Sequence, residues 1–315
     1  MRRYSSLSPR FYALLVAVAV VLVSPGPSES FDDRVTHPLL TRQGITLSTL
    51  DSFLVQDLAL ASGVNTLVER GSGARRPIRI WLEAGSELED APPCRARNHF
   101  HNPLRPFASS GVTDLPAFVR GACEDTPFAV TRSNVLWGTR FVSPREKGSG
   151  AGNPFDWDAA RLAFREALIG GAPGEREAAL ARTFETLGHV AHLIQDLAVP
   201  AHVRNDFQAH LQYLNPFAGY GRWTENGLER FVRRNPRLVT EAAAAAATLA
   251  VEFTLKPLTR FWDLDLYMGA TPSRDTAQGL AEYTNANFAS PYTILTDAFP
   301  ESDPKSQHAQ GGPTR

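Results

Sequence analysis

Apolar positions recur at close to a 3.6-residue period over much of this chain, which is the mark of helices with one buried face. Between Asp33 and Ser62 the period runs through Leu39, Leu40, Leu47, Leu50, Leu54 and Leu58. The segment Gly71 to Pro77, Gly-Ser-Gly-Ala-Arg-Arg-Pro, breaks the pattern. A short helix is predicted from Ile78 to Glu89. From Pro92 to Gly152 the chain is rich in Pro, Gly and Ser and reads as long loops with brief helices. Asp156 is placed to cap a helix reaching Leu168, whose apolar face would carry Ala160, Leu162, Phe164 and Leu168. A turn at Gly170 to Gly174 leads into a long helix, Glu175 to Leu197, stopped near Pro200.

The second half continues in kind. Leu228 to Val232 reads as a short helix, and Val239 to Trp262 as a longer one built on the alanine run Ala242 to Ala247, since alanine has the highest helix propensity. Pro257 should kink or end it. Gly279 to Phe288 is a further helical stretch. With no strand-rich region and no internal repeat, the fold class is all-α: a single irregular multi-helix bundle.

The N-terminus has a different logic. Arg2, Arg3 and Arg10 precede an apolar run from Tyr12 to Val23, and small residues follow up to Ser28-Glu29-Ser30. That order is the one of a secretory signal peptide, and the run is short of the roughly 20 residues that span a bilayer. Residues 1–30 are therefore expected to be removed on export, to a periplasm or beyond, leaving Phe31 first. Residues 31–299 would form the helical domain, and the polar segment 300–315 a disordered tail. Basic and acidic residues nearly balance, 32 against 33, so net charge gives no hint of a nucleic-acid partner. The two cysteines, Cys94 and Cys123, can form one disulfide in an exported protein if their Cβ atoms meet.

Histidine placement carries the chemistry. In His192-Leu-Ile-Gln-Asp-Leu-Ala-Val-Pro-Ala-His-Val-Arg-Asn205, His192 and Asp196 stand four apart and share one helix face. The helix stops at Pro200 and presents His202 just beyond. Imidazole and carboxylate together suit a borderline cation such as Zn²⁺, and a carboxylate can serve two ions at once, one oxygen for each.

This segment resembles the signature of zinc-dependent phospholipase C, whose superfamily includes the fungal single-strand-specific nucleases. The resemblance implies an all-helical fold around a cluster of zinc ions, two or three here, with His192 and Asp196 on the first ion and His202 opening a second site. Gly85 to Pro103, GSELEDAPPCRARNHFHNP, looks like the family's acidic stretch and second histidine, which makes His99 a ligand of the first ion. Glu87 stands where the family has an aspartate acting as general base, with Glu89 and Asp90 as competitors for that role. Family members begin near a residue whose free amine and carbonyl bind zinc, followed by a histidine, which here implies Phe31 and His37. After the signature comes a His-x-x-x-Glu helix in the family. Glu229 matches its glutamate, whereas Glu225 stands at the histidine position, with His210 as a possible substitute. His101 and His189 are expected to be non-ligands, His308 to lie inert in the tail, and Trp137, Trp157, Trp223 and Trp262 to be mainly core residues.

What the resemblance implies is zinc-assisted phosphodiester hydrolysis, most closely of a phospholipid, with peripheral contact to a membrane surface and no obligate protein partner. Two alternatives stand beside it: a single-strand nuclease or other phosphodiesterase on the same scaffold, and a non-catalytic metal-binding protein.

Overall fold

The computed structural model describes residues 35–71, 73, 75–113, 115, 117–139, 152–207, 227–248, 262–263, 279–288 and 290. The expected signal peptide, Phe31, His210, Trp223, Glu225, Pro257, His308 and the C-terminal tail lie outside them, as does the second half of the helix expected from Val239 to Trp262. No described helix is long and apolar enough to cross a membrane.

The architecture is mostly helical. Helices α1 (Thr36–Leu47) and α2 (Leu50–Gln56) divide the first periodic stretch at Ser48, whose hydroxyl donates to the Ile45 carbonyl and accepts from the Leu50 amide. Side-chain hydrogen bonds of this kind offer the backbone an alternative to helix and so end α1 there. Two residue pairs, β1 (Leu67–Val68) and β2 (Arg76–Pro77), form a minimal antiparallel ladder that leads into α3 (Ile78–Leu88). The loop region contains short 3₁₀ turns, α4 (Ala117–Cys123) and α5 (Asn134–Thr139). A disulfide joins Cys94 in the first of those turns to Cys123 at the end of α4.

Helices α6 (Trp157–Ile169) and α7 (Pro173–Asp196) form a hairpin, and the single turn α8 (Pro200–Val203) follows. Asp156 caps α6 as expected, its carboxylate accepting from the Ala159 amide at 2.7 Å. Proline at the first position of α7 is compatible with the helix because that amide would have had no intrahelical acceptor. Helices α9 (Gly227–Arg234), α10 (Pro236–Thr248) and α11 (Leu280–Asn287) complete the described elements.

Helix α7 is the axis of the bundle, with α3 packed on one side and α6 on another, while α1 lies against α3. Ile78, Trp81, Leu82 and Gly85 of α3, spaced i, i+3, i+4, i+7, are all buried. Ile78, Trp81 and Leu82 pack with Leu54, Val68, Ala181 and Phe184 in one core. A second core joins Val190, Leu193 and Leu197 to Val135, Trp137, Val203, Trp262 and Ala281. Burying side chains of this size is worth about 1.5–3 kcal/mol each. Both cores include residues of α7, and the buried His189 and His192 lie on that same helix.

One expected face is corrected. Leu162 and Leu168 of α6 are 54% and 52% exposed, whereas Ala160 and Ala163 are buried. The helix approaches α7 through small residues, which permit close contact, so its larger apolar groups are turned outward.

Candidate metal centre

The approach of α3 to α7 is set by two glycines. A Cβ on Gly85 would stand 1.9 Å from the Glu185 carbonyl oxygen, and one on Gly188 would stand 2.1 Å from that of Leu82. Only glycine at both positions allows the backbones to cross this closely. The crossing puts the Ser86 carbonyl of α3 within 2.6 Å of His192 Nδ1 on α7. It also carries Asp90, just past the end of α3, to the same level as His192 and Asp196.

Asp196 is the hub. Its Oδ2 lies 3.0 Å from His99 Nδ1 and 3.4 Å from His192 Nε2. Its Oδ1 lies 3.6 Å from His37 Nε2 and 3.7 Å from His202 Nε2. The two oxygens thus face different pairs of imidazoles. Asp90 repeats the motif on one side, with Oδ1 at 3.4 Å from His99 Nδ1 and Oδ2 at 3.6 Å from His192 Nε2. His37 comes from α1, His99 from the turn after residues 93–98, His192 and Asp196 from α7, and His202 from α8. All of these groups are buried.

The outer ring nitrogens are held in place. His37 Nδ1 pairs with Gln195 Oε1 at 2.8 Å, His192 Nδ1 donates to the Ser86 carbonyl, and His202 Nδ1 donates to the His99 carbonyl at 3.1 Å. A donating Nδ1 leaves the Nε2 lone pair directed inward, as ligation requires. Gln195 is itself anchored by its amide on Thr41. The inner atoms are differently placed: His37 Nε2, His192 Nε2 and all four carboxylate oxygens of Asp90 and Asp196 make no hydrogen bond among the described residues. Leaving so many buried polar atoms without partners is costly, on the order of 1–3 kcal/mol each. A cation among them removes that cost. The donor atoms of His37, His192 and Asp196, and those of Asp90, His99 and His192, are each grouped tightly enough to hold a metal ion.

Electrostatics follow the same division. Burial, reinforced by the neighbouring His192, lowers His37 to about 3. Burial likewise lowers His202 to about 4, against the pull of Asp196. Both are therefore neutral, ligand-ready imidazoles near pH 7. For His99 burial also opposes charge, but Asp196, Glu89 and Asp90 outweigh it and raise the imidazole to about 10. Burial of Asp196 opposes its charge too, yet the surrounding His202, His192 and His99 hold it well below the usual carboxylate range. Asp90 is raised, chiefly by burial.

Five of the expected ligands, His37, His99, His192, Asp196 and His202, therefore meet in one place, from four separate elements. Of the three carboxylates considered for the acid–base role, Glu87 is only half-buried and makes no ion pair among the described residues. Asp90 enters the cluster, and Glu89 lies behind His99 in a separate network with Arg95, Trp137 and His189. Glu229 belongs to α9, beside α10 and α1, but its side chain is outside the described set, as are Phe31 and Glu225. His101 pairs with Asp263 at 2.7 Å, and His189 stacks on Phe155, both apart from the cluster. Trp137 and Trp262 are core residues, whereas Trp157 is only partly buried.

Sequence reasoning did not single out Ser86, Gln195, Arg95, Gly85 or Gly188. The glycines were the detectable signal, because a glycine inside a helix costs about 1 kcal/mol relative to alanine and so points to a packing reason. No family model, curated protein or solved structure matches this chain.

Proposed function

We propose that this chain is an exported, zinc-dependent phosphodiester hydrolase, phospholipase C-like and acting on phospholipids. The observation that carries the reading is the Asp196 carboxylate, with one oxygen turned to His99 and His192 and the other to His37 and His202. A buried carboxylate divided in this way suits two neighbouring ions.

The donor set fits zinc. Imidazole nitrogen with carboxylate oxygen favours a borderline cation over magnesium or calcium, which prefer all-oxygen sites. Asp90, His99, His192 and Asp196 Oδ2 would hold one ion. His37 and Asp196 Oδ1 would hold a second, completed by Phe31 once the segment before it is cut. His202, with Glu225 and Glu229, would supply a third position. When bound, zinc offers positive charge to the phosphate oxygens and acidifies adjacent water.

The protein's own groups do the rest. Ser86, Gln195 and the His99 carbonyl fix three imidazoles in the tautomer that points Nε2 inward. Asp90 makes no hydrogen bond through either oxygen among the described residues, so while one oxygen would serve the ion the other would be left to accept or orient a proton. It stands there in place of Glu87. The assignment of phosphodiester as substrate rests on the signature His192, Asp196, Pro200, His202 and Asn205.

The test uses zinc-loaded protein whose N-terminus has been sequenced and whose metal content has been measured. Release of phosphocholine from phosphatidylcholine is the expected result, and His192→Ala abolishes it. Loss of single-stranded DNA instead would assign a nuclease. Zinc uptake with neither activity would leave a metal-binding protein, and a His192→Ala rate equal to wild type would refute both enzymatic readings.

A further inference from the structure

Glu89 is the acidic residue that the metal cluster does not absorb, and its surroundings are unusual. It is fully buried, and its Oε2 accepts from the Arg95 guanidinium and lies 2.6 Å from His189 Nδ1. Its Oε1 accepts from the Trp137 indole N–H at 2.8 Å. Arg95, only 1% exposed, also donates to the Glu89 carbonyl and to Asn153. Its guanidinium sits 5.2 Å from the Trp137 ring centroid, 5.4 Å from that of Phe155 and 5.6 Å from that of Phe128. A buried cation boxed by aromatic faces cannot be replaced by solvent, so Glu89 is held as a carboxylate in one orientation.

The one remaining direction from that carboxylate faces His99. Glu89 Oε1 stands 3.6 Å from His99 Nε2, on the side of the ring away from Asp196. His99 is reversed relative to the other three histidines. In His37, His192 and His202 the Nδ1 atom faces outward to a protein acceptor and Nε2 faces the cluster. In His99 it is Nδ1 that lies 3.0 Å from Asp196 and 3.4 Å from Asp90. A shift of about 0.7 Å would bring its Nε2–H into hydrogen-bond range of Glu89.

We propose that Glu89, locked by Arg95, Trp137 and His189, is a positioning residue that accepts a hydrogen bond from the Nε2–H of His99 and so presents Nδ1 of that ring to a metal ion. The proposal rests on the zinc site described above. It removes Glu89 from the acid–base role and gives it the part of the carboxylate behind a ligating histidine, a partner whose loss typically weakens metal binding. Its effect on hydrolysis would come through the ion and not through contact with substrate.

Zinc content of the wild-type protein is measured first. The ring-proton position of each histidine is then read in the zinc-loaded protein from two-bond ¹⁵N–¹H correlations of the imidazoles. His99 is expected to carry its proton on Nε2, and His37, His192 and His202 on Nδ1. Zinc uptake with the His99 proton on Nδ1 overturns the role of Glu89 and leaves the metal site standing. Failure to take up zinc overturns both. Glu89→Gln keeps the shape and removes the charge. It is expected to weaken zinc binding about 10- to 100-fold in competition with a chelator. An affinity within twofold of wild type would overturn the proposal. If that variant does not fold, the wild-type proton position still decides.

Discussion

Replacing Gly85 with alanine sets two physical effects against each other. Helix propensity alone favours the change by about 1 kcal/mol, because alanine loses less backbone freedom. Packing opposes it, since the new Cβ would lie 1.9 Å from the Glu185 carbonyl oxygen and 3.1 Å from the Gly188 Cα, where ordinary contact begins at 3.4 Å. Both obstacles are backbone atoms, so α3 and α7 must part by about 1.5 Å, an overpacking strain of ~1–3 kcal/mol. The same movement stretches the 2.6 Å contact between His192 Nδ1 and the Ser86 carbonyl. A buried donor left without its acceptor costs a further ~1–3 kcal/mol. Net destabilisation of about 1–5 kcal/mol is expected, a large part of a typical domain's ~5–15 kcal/mol. The variant should also bind zinc more weakly, because Asp90 travels with α3 away from His192. Urea denaturation followed by circular dichroism measures the first effect, and chelator competition the second. Gly44→Ala is the control: it lies in the exposed middle of α1 with nothing within 4 Å of a new Cβ, so it should gain up to ~1 kcal/mol. A Gly85→Ala protein as stable as wild type, or more so, would refute the close crossing.

Two further predictions concern pH and capping. In chelator-treated protein, His37 and His202 take protons less readily when folded, so their contribution is present above their ordinary value of 6.5 and is lost as the pH falls toward 4 and 3. His99 has the opposite sign: its stabilisation is present below 6.5 and declines as the pH rises toward about 10. Denaturation midpoints should therefore peak near pH 6.5, and saturating zinc should abolish the alkaline decline by displacing the His99 proton. A flat profile between pH 5 and 9 would contradict this. Asp156→Ala removes the cap of α6 and should cost ~0.5–2 kcal/mol in the same denaturation assay, with zinc affinity unchanged; an equal loss from Asp158→Ala would show that capping is not the cause.

Local information in the chain accounts for much of the helical framework. The Asp156 cap, the long helix α7 ending before Pro200, and the i, i+4 pairing of His192 with Asp196 follow from dihedral preferences and a fixed rise per residue. They depend on neighbours only a few positions away, and so they can be read in order along the sequence. The reading of α6 failed on Leu162 and Leu168 because periodicity identifies an apolar stripe but not the depth at which a partner helix meets it.

Tertiary structure decided which side chains meet. His37 and His99 come within reach of Asp196 from segments far upstream, the second from a loop region whose own pattern says nothing of its path. Asp90 and Glu89 are adjacent in sequence, yet one joins the imidazoles and the other is enclosed with Arg95, according to the direction in which the end of α3 turns. Those outcomes depend on the Gly85–Gly188 crossing. Contact between residues about a hundred positions apart is fixed by how two surfaces fit, and that fit belongs to neither segment alone.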